Sequence, residues 1–574
     1  MVRTGMVLWA ITAATAVDAL NSFIQPPQIS LVSKQDVKSS DGTWDWAKLR
    51  PAKDLQWMPC YDGQFDCARL DVPMDWLKPT EADRVVLGVI RLKAKSNNGI
   101  VPPVFINPGG PGGSGVAFMK SSGALIQAIV GDYHDIIGFD PRGVGTSTPR
   151  VDCWQSAAKQ AAWNQGYVGG IDQWQGLAYE AFARGQAFSN VCERSMNASR
   201  LLSHLSTATA ARDMLAILQA AGHEKLRYWG FSYGTVLGGV FAGLYPERVD
   251  RLVSDGNVDY NDWFHLGYQN FLADADTIAD AFDNNCYKVG ESRCALWSNT
   301  PRKIRQRREH ILEHVKKYPV AIAPDSLPGS GPDIPRFVTY SLLQIFTRGS
   351  FYAPVYKVTD MARVYAALEK NDGMVYYNIS TQPGPVIATQ DVPIHEPRET
   401  FAEADAAFAV SCSDWLGRDD ADSFLAYTNA LEETSQWVGG TSTFQRLACA
   451  GWPTNQKWHI TNKDFKTNTA NPILFIGNMA DIITPLQSAR NNSAVFPSSG
   501  VLIQNSYGHS SLASPSTCTA KHVQTYFLDG KLPPKDTICE EDYALFNFPG
   551  VENIHSQDLL SSTILQLSMK WANG

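Results

Sequence analysis

The chain of 574 residues lacks a long apolar run: past its first residues, no segment offers the ~20 consecutive apolar side chains that a bilayer-spanning helix needs. It also lacks an excess of positive charge. Lysine and arginine total 49 against 57 aspartate and glutamate, a formal net charge of -8, whereas a polyanion-binding surface needs the opposite balance. Nucleic acid is therefore not expected as a partner. The basic run Arg302-Lys303-Ile304-Arg305-Gln306-Arg307-Arg308 is a local exception. Ile304, Ile311, Leu312 and Val315 alongside it have helical spacing, so it reads as the solvated face of an amphipathic helix. No Cys-x-x-Cys pair offers a zinc site, and there is no internal repeat or low-complexity tract. With 44% hydrophobic and 18% charged residues, the chain is globular rather than disordered.

What is present first is the chemistry of export. Arg3, the mostly apolar stretch from Met6 to Ala13 and the small residues Ala14-Thr15-Ala16 predict a signal peptide over residues 1–16 and a secreted mature protein. A buried N-terminal helix is the alternative. Ten cysteines fall in chain-order couples: Cys60 and Cys67, Cys153 and Cys192, Cys286 and Cys294, Cys412 and Cys449, Cys518 and Cys539. An even count in an exported chain reads as a disulfide framework, and pairing between chain neighbours would keep each bridge local; sequence alone leaves the connectivity open. The tripeptides at Asn197, Asn378 and Asn491 are candidate glycosylation sites.

Apolar, β-branched runs at Val85 to Leu92, Val104 to Ile106, Ile136 to Phe139 and Leu226 to Phe231 predict strands. Helical spacing over Ala208 to Ala221 and a small-residue stretch from Gly234 to Leu244 alternate with them. That alternation implies an α/β fold, a mostly parallel sheet covered by helices on both faces. From about Asn261 to Cys449 the pattern turns mainly helical, including Ile278 to Asn284, Ile304 to Val315 and Met361 to Leu368, before strands resume at Ile473 to Ile476 and Val501 to Gln504. The expected organisation is a core in two parts, residues 55–260 and 450–574, around a cap insertion over 261–449.

The strongest chemical signal is Gly230-Phe231-Ser232-Tyr233-Gly234, lying between a strand and a helix. A serine on that sharp turn needs small residues two positions away on each side, and its hydroxyl is exposed near the positive end of the following helix. Ser232 is thus the candidate nucleophile. A neutral hydroxyl needs a base, and His509 after the last long strand is the candidate, ahead of His522 in a helix from Ala520 to Phe527. Asp481, just past a strand end, is the candidate acid that orients the imidazole; its alternative role is to cap a helix starting near Pro485. The order Ser232, Asp481, His509 is that of the α/β-hydrolase fold. The loop Asn107-Pro108-Gly109-Gly110-Pro111-Gly112-Gly113 has no Gly-Lys-Ser/Thr ending, so it is read as an oxyanion loop and not as a phosphate cradle. Gly110 and Tyr233 are the expected N–H donors, with Gly109 as the alternative; Asp140, Arg142 and Gly143 are expected to brace this edge. No metal or organic cofactor is needed for such chemistry.

At these residues the sequence resembles the tripeptidyl and prolyl aminopeptidase branch of the α/β hydrolases. The matching segments are the glycine loop through Gly115, Asp140-Pro141-Arg142-Gly143-Val144-Gly145, Tyr228 to Thr235, Asp255-Gly256-Asn257-Val258-Asp259, Cys449-Ala450-Gly451-Trp452-Pro453, and those around Asp481 and His509. The resemblance implies an exopeptidase releasing residues or short peptides from free N-termini, with acidic groups near the cap holding the substrate ammonium. Glu403 and Asp405 are candidates for that task by composition, against the plainer reading of solvated acids. Where prolyl enzymes of this branch have histidine before the paired glycines, this chain has Pro108, as the tripeptidyl enzymes do. The fold also hosts esterases and small-molecule hydrolases, so an esterase or lactonase is the alternative, and a catalytically silent binding protein a further rival. The expected partner is a peptide or small-molecule substrate.

Overall fold

In the computed structural model, described are residues 44–96, 101–166, 169–174, 176–323, 332, 335–380, 391–452, 456–461, 463–465, 467–549 and 558–573. The expected signal peptide over residues 1–16 lies outside them.

The strands are β1 (Met58–Cys60), β2 (Phe65–Pro73), β3 (Arg84–Leu92), β4 (Val104–Asn107), β5 (Ile136–Phe139), β6 (Leu226–Phe231), β7 (Val249–Asp255), β8 (Val320–Ile322), β9 (Arg336–Val338), β10 (Leu474–Ala480), β11 (Gly500–Tyr507) and β12 (Ile538–Glu540). All but β8 and β9 form a ten-stranded sheet in the order β1-β2-β3-β5-β4-β6-β7-β10-β11-β12. From β5 to β12 every pairing is parallel, whereas β1, β2 and β3 join one edge antiparallel. The parallel part follows from the apolar runs. In β6 every residue but Arg227 is buried, as a strand covered on both faces requires. Leu226 and Tyr228 point into one apolar core, with Val236 and Leu237 of the next helix; Trp229 and Phe231 point into the other, with Val116 and Met119.

The antiparallel edge was not expected, because polar side chains interrupt its pattern. In β2, Asp66 is paired with Arg91 at 2.6 Å and Arg69 donates to Thr148 Oγ1 at 2.9 Å, so charged residues occupy buried positions. The basic run also differs in part from its reading. It lies on the helix Pro301–Lys317, but Arg308 is buried and bound to Asp283 through both Nε and Nη2.

Between β7 and β10 the chain is mostly helical, with the two-stranded β8–β9 sheet among the helices. Each cysteine is bonded to its chain neighbour, as Cys60–Cys67, Cys153–Cys192, Cys286–Cys294, Cys412–Cys449 and Cys518–Cys539. Asn197, Asn378 and Asn491 are all exposed, but Asn491 Nδ2, the atom a glycan would take, donates to Asp259 at 2.7 Å. Among the described residues no helix is long and apolar enough to cross a membrane.

Candidate active site

β6 ends at Phe231, and Ser232 follows with φ 54° and ψ -125°, a strained conformation for a residue with a Cβ. The strain is held by packing from both sides. A Cβ on Gly230 would strike the Tyr228 ring and the Gly234 carbonyl, and one on Gly234 would meet the Asn107 carbonyl at 2.9 Å. Two positions either side of Ser232 must therefore be glycine. Ser232 precedes the helix Tyr233–Leu244 without capping it through its hydroxyl; the Ser232 carbonyl instead accepts from Thr235 N at 2.8 Å and Thr235 Oγ1 at 2.6 Å. Among the described residues the hydroxyl has no hydrogen-bond partner, and it lies at the positive end of that helix.

The glycine loop after β4 lies directly against this turn. A Cβ on Gly109, whose φ is +95°, would meet the Phe231 carbonyl at 2.5 Å, Ser232 Cβ at 2.8 Å and Tyr233 N at 3.0 Å. Gly109 N–H already donates to Asn107 Oδ1 at 2.9 Å, which removes the alternative oxyanion donor. Gly110 N–H and Tyr233 N–H have no acceptor among the described residues. Asp140 braces the loop as expected: it accepts from Ser114 Oγ and Val116 N at the start of the helix Gly115–Val130, and from Thr146 N in the loop after β5. Arg142 is buried and bound twice to Asp213, at 2.6 and 2.7 Å.

Asp481 and His509 come together at the ends of β10 and β11. His509 Nδ1 lies 3.1 Å from both Asp481 oxygens and 3.0 Å from Thr484 Oγ1. The carboxylate also accepts from Ile483 N, Thr484 N, Thr484 Oγ1 and Ser510 N. Burial alone would raise the Asp481 carboxyl, but His509 and these hydrogen bonds hold it below the usual carboxylate range. Asp481 thus caps the turn before Pro485 and holds the imidazole together. His522 sits elsewhere, half-buried on the helix Thr517–Asp529 beside the Cys518–Cys539 bridge.

No hydrogen bond joins Ser232 Oγ to His509 among the described residues. The two loops are fastened through Asp255 instead, whose carbonyl accepts from Ser232 N at 3.1 Å and whose carboxylate accepts from Ser511 N at 2.8 Å and Ser511 Oγ at 2.6 Å. Burial pushes the Asp255 carboxyl up to about 6. His509 is also held from outside its own loop. Its N–H donates to the Tyr352 carbonyl at 2.8 Å, its ring meets the Tyr352 ring edge-on at 5.3 Å, and Trp571 Nε1 donates to its carbonyl at 3.2 Å. Sequence reading missed Asp255, Thr484, Tyr352 and Trp571 as supports; of these only Asp255 lay in a segment carrying the family resemblance.

Ser232 opens into a cavity of about 40 Å³ lined also by Gly110, Asp259, Asp262, Trp263 and Thr484. Asp259 accepts from Asp262 N and Asn491 Nδ2, and Asp262 from Gln269 N and Asn270 N, and neither forms a salt bridge among the described residues. Burial pushes Asp262 up to about 6. Glu403 and Asp405, by contrast, are not solvated acids. Glu403 is buried against Arg398 at 2.7 Å and Arg150 at 3.6 Å, and Asp405, pushed up to about 7 by burial, accepts from Cys153 N.

Comparison with known proteins agrees with this architecture. Residues 102–334 match the family described as alpha/beta hydrolase fold, and residues 435–539 the family described as TAP-like protein. The chain is 26% identical over 491 residues to a tripeptidyl aminopeptidase of Streptomyces lividans, covering 83% of each. It is 25% identical to the serine protease Hip1 of Mycobacterium tuberculosis, covering 89% of this chain and 96% of that protein. It is also 25% identical to carboxylesterase B of Mycobacterium tuberculosis, covering 82% and 86%.

Proposed function

Given that the chain belongs to the α/β-hydrolase superfamily and is a serine hydrolase similar to the tripeptidyl aminopeptidases, we propose that it is a secreted exopeptidase acting at free N-termini. Ser232 attacks the scissile carbonyl, His509 takes its proton and returns it to the leaving amine, and Asp481 fixes the imidazole tautomer and stabilises its charged form. The N–H groups of Gly110 and Tyr233 stabilise the tetrahedral oxyanion, and water then hydrolyses the acyl-enzyme. The observation that carries this reading is the imidazole clamped at Nδ1 by Asp481 and Thr484, while Thr484 lines the same cavity as the uncommitted Ser232.

Three observations support the finer points. Asp259 and Asp262 bring two buried carboxylates without a salt bridge to the cavity, the chemistry that would receive a substrate ammonium. The five disulfides suit an oxidising compartment, as secretion requires. The cavity of about 40 Å³ is walled in part by Trp263, Tyr268, Phe271 and Gln445, all from the mostly helical region between β7 and β10. We therefore assign residues 261–449 as the cap.

The test is a panel of free-N-terminus peptides, their N-acetyl counterparts and simple esters, with Ser232→Ala as control. Free peptides should be cleaved far faster than N-acetyl ones, and the alanine variant should lose fluorophosphonate labelling. Equal cleavage of free and blocked peptides would remove the exopeptidase reading, and rapid ester turnover with inert peptides would favour the esterase. Undiminished labelling of the alanine variant would remove Ser232.

A further inference from the structure

Arg348, near the end of the helix Tyr340–Tyr352, is only 3% exposed, yet its guanidinium has no carboxylate within salt-bridge distance among the described residues. Three other buried arginines are matched to a carboxylate, whereas Arg69 donates only to Thr148 Oγ1 and Arg150 approaches Glu403 no closer than 3.6 Å. Arg142 is bound to Asp213, Arg308 to Asp283 and Arg446 to Asp419, each through two nitrogens. Arg348 has a single long hydrogen bond, from Nη2 to the Tyr352 hydroxyl at 3.4 Å, and its Nε is buried with no partner. Its other contacts are ring faces, with Phe444 at 4.7 Å and Tyr352 at 5.8 Å from the guanidinium carbon. Such contacts offset only part of the cost of burying a charge. Among the described residues nothing supplies the anion this guanidinium would hold.

Its position says which anion. Tyr352 stands between Arg348 and His509, touching the guanidinium with its face and hydroxyl and the imidazole with its ring. On the other side, Phe444 under the guanidinium is followed by Gln445, which lines the Ser232 cavity. A group bound to Arg348 is therefore one ring away from the base and beside Phe444, the chain neighbour of a residue that lines the Ser232 cavity. We propose that Arg348 binds the free C-terminal carboxylate of a short peptide substrate, making the enzyme selective for peptides charged at both ends. Arg348 would hold the carboxylate by paired N–H donors from its planar fork, which lysine cannot reproduce. The proposal rests on the aminopeptidase reading above.

Oligoalanines of three to six residues, each as the C-terminal acid and the C-terminal amide, would be compared by kcat/KM in the wild type, Arg348→Gln and Arg348→Lys. The acid is expected to win by about 10- to 100-fold through KM, as for a charge-assisted hydrogen bond. Because a fixed guanidinium reads a fixed distance at about 3.3–3.6 Å per residue, the ratio should peak at one length. Arg348→Gln should bring the acid-to-amide ratio to near one, and Arg348→Lys should restore only part of it. Equal rates for acid and amide at every length in the wild type, or a preference that survives Arg348→Gln, overturns the proposal; the wild-type comparison decides even where a variant does not fold. N-acetyl versions of the same peptides read the aminopeptidase proposal separately. If they are cleaved as fast as the free ones while the acid preference stands, only that reading falls; if no oligoalanine is cleaved, both do.

Discussion

Replacing Asp481 by asparagine separates what this residue does for the fold from what it does for the imidazole. The side chain is fully buried, with Oδ1 accepting from Ile483 N and Thr484 N and Oδ2 from Thr484 Oγ1 and Ser510 N. An amide NH₂ at the Oδ1 position would strand two backbone donors; at the Oδ2 position it strands one, because the Thr484 hydroxyl can rotate to accept. The second orientation wins. Its cost is one unpaired buried N–H, about 1–3 kcal/mol, so the variant should fold with a lowered Tm. The cost to the chemistry is larger. The NH₂ now faces His509 Nδ1, and the remaining oxygen, equally near at 3.1 Å, is already taken by Ile483 N and Thr484 N; Nδ1 is expected to accept, which moves the ring proton to Nε2, where the ring cannot take a proton from Ser232. A wrong tautomer of this kind costs about 10⁴-fold in kcat, roughly 5.5 kcal/mol of transition-state stabilisation. Turnover of a chromogenic ester beside a thermal melt reads both quantities. A folded Asp481→Asn protein that retains kcat within about tenfold of wild type would refute the assignment of Asp481 and, with it, the tautomer argument.

Two further predictions concern the walls of the site. Gly109→Ala adds a Cβ 2.5 Å from the Phe231 carbonyl and 3.0 Å from Tyr233 N at a φ of +95°. It should lower kcat about 10²- to 10³-fold by displacing the oxyanion donors, measured with the same ester; unchanged kcat would remove the loop from the oxyanion site. The ratio of kcat/KM for a free-N-terminus peptide to that for a neutral ester cancels the pH dependence the two substrates share and isolates the ammonium site. With Asp262 pushed up to about 6, its carboxylate gains a proton and loses its charge below that pH, so the ratio should fall as pH drops through about 6. It should fall again above about pH 8 as the peptide amine loses its proton. Asp262→Asn should abolish the acidic limb, and a ratio flat from pH 5 to 7 in the wild type would exclude Asp262.

The parts of this molecule legible in the sequence are those decided by neighbours along the chain. β6 and the turn at Ser232 announce themselves because an apolar strand, two glycines and a small-residue helix are adjacent. β2 did not, since Asp66 and Arg69 break its period and find their partners, Arg91 and Thr148, on other parts of the chain. Glu403 reads as solvated for the same reason: Arg150, one of the two cations that allow its burial, lies far away in the sequence. Tyr352, Arg348 and Trp571 carry no motif. Their roles arise from contacts between distant segments, which pattern and spacing do not encode. Asp481 and His509 were legible only as strand ends in the right order, and their shared hydrogen bonds with Thr484 were not.

The grip on the histidine loop has a bearing on when the protein can begin to work. The backbone of His509 is held on one side by Tyr352 and on the other by Trp571, which is among the last residues of the chain and whose ring also lies 5.4 Å from that of Phe231. A chain made only as far as Ser510 already contains every proposed reacting group, Ser232, Asp481 and His509. It still lacks the strut that fixes the imidazole relative to Ser232. The imidazole is therefore fixed beside Ser232 by a helix, Leu559–Asn573, that follows His509 by some fifty residues, so the site is complete only once that remote segment has packed against the core.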